Sequence, residues 1–461
     1  MQRILAISWL TWKAALRFKL FLVIAVLLIL AVVGLPLVIK DDGTAQGFTQ
    51  IILTYTLSAI TALLGLSTLW LSCGTLARDI EECQIQVVAT KPIARWQIWI
   101  GKWIGIVSLN AVLLAISGAC VYGLLQYRAT KLPEAEQKIL REQVLVARGS
   151  AKEPSNPAEI EADTEQVLQE RLKSSPIEKV DLPEVRQQIR EQVKAELQLV
   201  PPSYERVWKI DLGFAKNYLQ GKPLQLRVKF NAAQKSESGT YVALWQVGVP
   251  QKTKFWQSEP MSLAPDTFHE FEIPPDLFDE NGLLTITFAN PNQTALLFPL
   301  EDGMEVLYPE GGFGLNFARG LGIILCWMAL LAALGLTSAS FLSFPVAAFF
   351  SLAMLLVGLS SGTLAEAVDS GSVAAGNEET GVAGHSAADM FLIPAFKATV
   401  AVVGLAKNFS PIDSLSTGRS IPWIDLGAAF LQIVVVLGGA IALAGIFLFS
   451  RRELATAQGT Q

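Results

Sequence analysis

Residues 77–103 read ARDIEECQIQVVATKPIARWQIWIGKW, seven charged side chains and a proline packed between two apolar runs. The run before it is Thr49–Cys73 and the run after it is Trp103–Leu125. Four more runs of the same kind occur along the chain: Leu20–Ile39, Phe317–Thr337, Phe341–Leu364 and Ile424–Phe449. Each has about 20 residues or more with almost no charge, enough to cross a hydrocarbon core of about 30 Å at about 1.5 Å per residue. Backbone polar groups cannot stay unpaired in lipid, so each run reads as a helix. The expected fold is a polytopic α-helical membrane protein with six spans, and a composition that is 51% hydrophobic agrees with it.

The first run is too long for the core of a secretory signal, and no small-x-small pattern follows it before Lys40–Asp41–Asp42, so it reads as a retained span. Ahead of it, Ile4, Leu5, Trp9, Trp12 and Leu16 alternate with Arg3, Lys13, Arg17 and Lys19. That mixture fits a helix lying at the membrane interface, or a plain basic flank. Lys and Arg cluster in the N-terminal tail, in 77–103 and at Arg451–Arg452. Six spans put these three segments on one side, which the positive-inside rule makes cytoplasmic. Phe391–Ala406 tempts a seventh span. It has 16 residues with Pro394 and Lys397 inside, and a re-entrant or surface-lying helix is expected there.

The chain thus divides into a first membrane half (1–125, with a cytoplasmic segment at 74–102), an extracytoplasmic charged helical region (126–209), an extracytoplasmic β-sandwich (210–312), and a second membrane half (313–461) with an outer loop at 366–423. The insert 126–315 carries 21 Lys and Arg against 28 Asp and Glu, a net of −7, while the remainder is at +2. An acidic outer domain argues against nucleic acid as a partner. None of the four cysteines lies in it, so no disulfide framework is expected, and Cys120 and Cys326 read as buried packing residues.

Within the insert a helix is expected from Asp181 to the Pro201–Pro202 stop, with Leu182, Val185, Ile189, Val193 and Leu197 on one face. The period then drops to two. LQLRVKF, TYVALWQV, TFHEFEI, LLTITFAN and MEVLYP follow one another, separated by turn residues. Short strands at that spacing indicate an antiparallel sandwich, faintly similar to the jelly rolls of carbohydrate-binding modules. Tyr241, Trp245 and Trp256 are then either a sugar-stacking platform or sandwich packing.

Chemistry is hard to place. Gly101–Lys102 is followed by Trp103 and Gly221–Lys222 by Pro223, so neither forms a phosphate-cradling loop. The two histidines, His269 and His385, stand apart from any metal-ligand spacing, and there is no Gly-x-Ser-x-Gly. Asp413 after Pro411 reads as a turn residue. No ionisable residue is expected at mid-bilayer, where a proton relay or ion path would need one. No cofactor is expected on this chain, and it is not expected to be an enzyme.

Residues 77–103 are too elaborate for a tether. An acidic start, a corner at Lys91–Pro92 and a ring of Trp96, Trp99 and Trp103 at headgroup level suggest two helices along the cytoplasmic face. LARDIEECQIQVVATKPIARWQIWIGKWIG resembles the region between the second and third spans of type-2 ATP-binding-cassette (ABC) transporter permeases. The matching positions are Asp79, Glu81 and Glu82, then Pro92 and Arg95, then Gly101 and Lys102, and Lys91 beside the proline is counted with the candidate coupling residues. Cys83–Gln84 stands where that family has a Gly–Thr pair. NFSPIDSLSTGR (408–419) and FSRREL (449–454) are similar to the segment before the last span and to the ending in the same family. The resemblance spans roughly 1–125 and 313–454 and leaves the outer insert uncovered.

The resemblance implies a permease subunit without its own engine. Two copies, as a homodimer or heterodimer in the lipid bilayer of the inner membrane, would pair with separate cytoplasmic ATPases that use the ATP. Glu81 and Glu82 would then contact the ATPase, Pro92 would make the corner, and Arg95 and Lys102 would touch the partner or lipid headgroups. A membrane anchor for a sandwich that binds envelope polysaccharide or a partner protein stands as the alternative, and an ATP-driven subunit that transmits force to its outer domain lies between the two.

Overall fold

The computed structural model describes residues 2–17, 19–38, 45–82, 93–140, 144–154, 157–174, 182–236, 238–300, 302–370, 389–407 and 409–452. The chain forms two compact units, one from residues 1–147 with 311–461, the other from Arg148 to Glu310.

The first unit is a helical bundle. Its elements are α1 (Gln2–Arg17), α2 (Lys19–Ile29), a π-helical stretch Leu30–Gly34, α3 (Leu35–Val38), α4 (Ala45–Glu81), α5 (Arg95–Ala129) and α6 (Glu134–Ile139), and after the insert α10 (Phe313–Phe341), α11 (Phe344–Leu359), α12 (Ser361–Ser370), α13 (Asp389–Lys407), α14 (Pro411–Ser416), α15 (Trp423–Ala429), a π-helical stretch Phe430–Gly438 and α16 (Gly439–Arg451). Among the described residues, five helices are long and apolar enough to cross a membrane: Thr49–Glu81, Arg95–Ala129, Phe313–Phe341, Asp389–Ala406 and Trp423–Arg451. The pair Phe344–Leu359 and Ser361–Val368, bent by 54°, makes a sixth if taken as one span.

Five such helices, or six with the bent pair, stand against the expected six, and Asp389–Ala406 is among them where the sequence suggested a re-entrant or surface-lying helix. In the first expected run, helical residues extend from Lys19 to Val38, with Val23–Gly34 a shorter apolar helix among the described residues. Asp389–Lys407 is instead one 19-residue helix that carries Pro394 within it. The helix starts two residues before the apolar run Phe391–Ala406, at Asp389 and Met390. Met390 and Phe391 are largely exposed.

The helix α10 is the axis of the bundle, with contacts to α4, α5, α11, α14, α15 and α16. Its buried stripe, Ala329, Ala332, Ala333, Gly335, Leu336 and Ala339, is built from small residues that let neighbouring backbones approach. Polar side chains bond across the seams. Cys73 Sγ lies 3.5 Å from the Gly335 carbonyl and from Ser351 Oγ, and Ser351 Oγ donates to Ser338 Oγ at 2.9 Å. Cys326 is buried as expected, whereas Cys120 is exposed on the outside of α5.

The second unit is a sandwich with a helical hairpin. The hairpin is α7 (Pro157–Ser174) and α8 (Leu182–Gln198). Val185, Ile189 and Val193 of α8 pack against Ile160, Val167 and Leu168 of α7, so the middle of the predicted apolar face is covered by the preceding helix, while Leu197 at its end is exposed. Twelve strands are present among the described residues: β1 (Val146–Ala151), β2 (Leu199–Val200), β3 (Glu205–Asp211), β4 (Leu224–Val228), β5 (Asn231–Ala232), β6 (Tyr241–Val247), β7 (Trp256–Gln257), β8 (Met261–Leu263), β9 (His269–Ile273), β10 (Leu283–Ala289), β11 (Leu296–Leu297) and β12 (Met304–Gly312), with the single-turn helix α9 (Lys216–Leu219) between β3 and β4. One sheet runs β1-β12-β4-β9, the other β3-β10-β6-β7 with β8 beside β6, and a small one joins β2-β11-β5.

All five predicted strand segments appear. In addition, β1 and β3 are drawn from residues assigned to the helical region, because VARGSA and ERVWKID supply edge partners for β12 and β10. The alternation delivers Trp208 and Ile210, Leu224, Leu226 and Val228, Tyr241, Ala243, Trp245 and Val247, and Leu284, Ile286 and Phe288 to one core. Its centre is aromatic: Trp245 sits 4.8 Å from Phe288 and Phe298 sits 5.2 Å from Trp208, ring to ring.

The opposite face of the first sheet carries charge. Register places Arg227 between Glu305 on β12 and Glu270 on β9. Arg227 lies 3.4 Å from Glu270 and 3.7 Å from Glu305, Arg148 donates to Glu270 at 2.9 Å, and Ser150 bonds Glu305. Both arginines and Glu305 are almost fully buried. Two cations and two carboxylates neutralise one another, the condition for charges to persist out of water.

Candidate functional site

α4 and α5 are longer than a bilayer requires. The apolar spans Thr49–Glu81 within α4 and Arg95–Ala129 of α5 have 33 and 35 residues and run about 50 Å each, against a core of about 30 Å. Their ends therefore stand clear of the apolar layer, on either side of residues 83–92, which, with the expected corner at Lys91–Pro92 and with Cys83, lie outside the described residues.

Five helix ends lie together where α4 closes and α5 begins, and charged residues join them. Lys102, on the second turn of α5, is 7% exposed; its Nζ donates to Asp79 Oδ2 at 2.5 Å and to the Thr75 carbonyl at 2.9 Å. This pair ties α5 to the last turns of α4. Glu81 Oε1 accepts the backbone N–H of Phe344 at 2.9 Å, so a carboxylate from α4 caps the N-terminus of α11. Arg78, one turn back, lies over the Phe344 ring at 4.8 Å. Arg95, the first residue of α5, donates Nη1 to the carbonyls of Phe449, Ser450 and Arg452 at 3.0, 2.8 and 2.8 Å. Arg452 in turn reaches the carbonyls of Ala339 and Ser340 at 3.4 and 3.2 Å, at the C-terminus of α10. Cations thus sit on the carbonyl ends of α16 and α10, and an anion on the N–H end of α11, each complementing the helix dipole.

Of the residues singled out in the sequence, the structure brings Asp79, Glu81, Arg95, Gly101 and Lys102 into this one cluster. Glu82 stands exposed at the end of α4, its N–H bonded to the Arg78 carbonyl at 2.8 Å. The side chains of Glu81, Arg95 and Lys102, expected to face a partner or headgroups, here bond within the chain. Gly101 has a role the sequence did not show. Together with Gly105 it seats α1: a Cβ at Gly101 would lie 2.7 Å from Ile7 Cβ, and one at Gly105 would lie 2.8 Å from Thr11 Cβ. Ser8 Oγ donates to the Gly101 carbonyl at 2.8 Å, and Trp12 Nε1 donates to Ser108 Oγ at 2.9 Å. Ile7, Ser8, Thr11 and Ala15 are therefore buried, while Leu5, Trp9, Leu10 and Leu16 face outward, the two-sided pattern expected of an interfacial helix.

The tryptophan ring needs revision. Trp96 is exposed, but Trp99 is 1% exposed, packed among Ile7, Cys73, Leu76 and Ala77, and Trp103 donates Nε1 to the Ala329 carbonyl at 2.9 Å. Two of the three rings lock α5 into the bundle, because the α1 seam covers the side of α5 that would otherwise meet headgroups. At the opposite end of α10, Asn316 clamps the segment 408–419. Its Nδ2 donates to the Arg419 carbonyl and its Oδ1 accepts the Ile421 N–H, both at 2.7 Å. Asp413 is exposed and accepts Ser410 Oγ at 2.5 Å in the first turn of α14, a local turn contact.

The sandwich gives no sugar platform at the predicted rings. Tyr241 and Trp245 are core residues, and Trp256 packs against that core. The exposed rings include Tyr218, which stacks edge-on with Tyr308 under Lys222. Partial burial, with Tyr308 and Glu310 beside it, pushes the Tyr218 phenol up to about 12, so it is a neutral hydroxyl at ordinary pH. Among the described residues no group of His, Cys, Asp or Glu is arranged to hold a metal ion. Among the described residues, bonded contacts join the C-terminal ends of α4, α10 and α16 to the N-terminal ends of α5 and α11. Compared with known protein families, curated proteins and solved structures, the chain matches none of them.

Proposed function

We propose that this chain is the membrane-spanning subunit of an ATP-driven complex of the type-2 ABC kind, working as a pair of copies with a separate ATPase docked at residues 83–92. The observation that carries the reading is the ion-paired helix-end cluster. It flanks residues 83–92 on both sides, through Asp79 and Glu81 before them and Arg95 and Lys102 after them, and joins four bonded contacts among helices from both halves of the chain. A lone anchor has no use for such a junction. A subunit that must convert a push on one short turn into a concerted tilt of spans does. On this reading the turn faces the cytoplasm, the unit Arg148–Glu310 lies outside the inner membrane, and the chain serves export. For nucleotide state to bias the bundle, the ATPase must contact the turn differently with and without ATP.

Glu82 is exposed and directly precedes residues 83–92. A photo-crosslinker placed there, in the full-length chain in its native membranes, should capture a soluble nucleotide-binding protein. Adducts only to lipid, or to none, would remove the docking assignment.

A further inference from the structure

We infer that the crevice between α2, α4 and α5 binds one acyl-ester lipid taken from the surrounding bilayer. The crevice, of about 100 Å³, is lined on α4 by Ser67, Trp70, Leu71, Gly74, Thr75 and Arg78, and on α5 by Leu109, Asn110 and Leu113. The α4 positions repeat at three and four residues, so they form one stripe about 16 Å long at about 1.5 Å per residue. Gly74 contributes no side chain, and Leu71, Leu109 and Leu113 make the walls apolar.

One group does not fit an apolar wall. Asn110 is 3% exposed, and its Nδ2 has no protein partner among the described residues. The other polar side chains of the deep part are already committed. Ser67 Oγ donates to the Leu64 carbonyl at 2.9 Å, and Thr75 Oγ1 donates to the Ser72 carbonyl at 3.3 Å. Asn110 lies near the middle of α5, some 15 residues from Arg95, at a depth where bulk water is scarce. A buried amide donor among hydrocarbon calls for an acceptor oxygen on an otherwise apolar molecule. An ester carbonyl attached to an acyl chain has that chemistry, and the surrounding solvent for these helices supplies it in excess. Arg78, at the end of the same stripe, adds positive charge that suits the phosphate of the same molecule.

Lipid binding is independent of any ATPase, so the test needs no nucleotide and its failure leaves the docking proposal standing. The full-length chain, reconstituted in nanodiscs of phosphatidylglycerol and phosphatidylcholine and then released into mild detergent, is weighed by native mass spectrometry. The wild type should retain one phospholipid per chain. Asn110→Leu should lower retention at least about fivefold, and Leu113→Trp, which fills the crevice, should abolish it. Ile116→Ala, on the exposed outer surface of α5, should retain lipid as the wild type does. Asn110→Leu should fold, since it removes an unpaired polar atom, and helical circular dichroism checks this. Absence of retained lipid from the wild type, or equal retention by folded Asn110→Leu and Leu113→Trp, overturns the assignment; the second result would mean that water satisfies Asn110.

Discussion

Lys102 shows how one residue can be found in a sequence for one reason and kept in the structure for another. Its place at a span entry suggests a headgroup contact, yet it is buried and paired with Asp79, whose side chain is about one third exposed. A cation held this way is strongly disfavoured when its partner is removed, less so when both are replaced by apolar groups. With Asp79 partly screened by solvent, Asp79→Asn should destabilise the protein by about 2 kcal/mol. The double variant Asp79→Asn with Lys102→Met should recover most of that loss. A double-mutant cycle of thermal midpoints in detergent measures the coupling, and additive effects would show that the pair contributes nothing. Asn110 was missed for a related reason. A single Asn inside an apolar run carries no periodic signal, and only the packing around it shows that its amide lacks a partner.

At the scale of elements, period and length made most of the fold legible. The long apolar runs of α4, α5, α10 and α16 and the alternation of β4, β6, β9, β10 and β12 all lie where the sequence puts them. What failed was context. VARGSA and ERVWKID have no strong pattern of their own and become strands because β12 and β10 offer them an edge. Trp245 reads equally well as a sugar platform or as packing until its neighbours Phe288 and Phe298 are known. The α1–α5 seam is the most telling case. Gly101 and Gly105 are four apart, but the helix they admit lies some 93 positions away in sequence, as the Ser8–Gly101 bond records. Side chains there would collide with Ile7 and Thr11, so Gly101→Leu should separate α1 from α5 and cost about 1–3 kcal/mol. A cysteine crosslink between positions 12 and 108, which face each other in the wild type, should form readily there and fail in Gly101→Leu. Equal crosslinking in both would mean that α1 is held by lipid rather than by the glycines.

At the scale of the molecule, two units with different chemistry share one chain: a bundle cross-bonded by small and polar residues, and an acidic sandwich that needs no disulfide because its core is aromatic and continuous. The functional account rests on the bundle alone, on helix ends from both halves of the sequence joined where α4 closes and α5 begins. The most direct measurement is affinity purification of the tagged full-length chain from its own membranes, with identification of co-purifying proteins and an ATP hydrolysis assay. It should be repeated with residues 83–92 replaced by a Gly–Ser linker of equal length. The account predicts a soluble ATPase that co-purifies with the wild type, hydrolyses ATP in the complex, and is lost with the linker variant. Recovery of the chain without any ATPase, or an ATPase held equally by the linker variant, would contradict it.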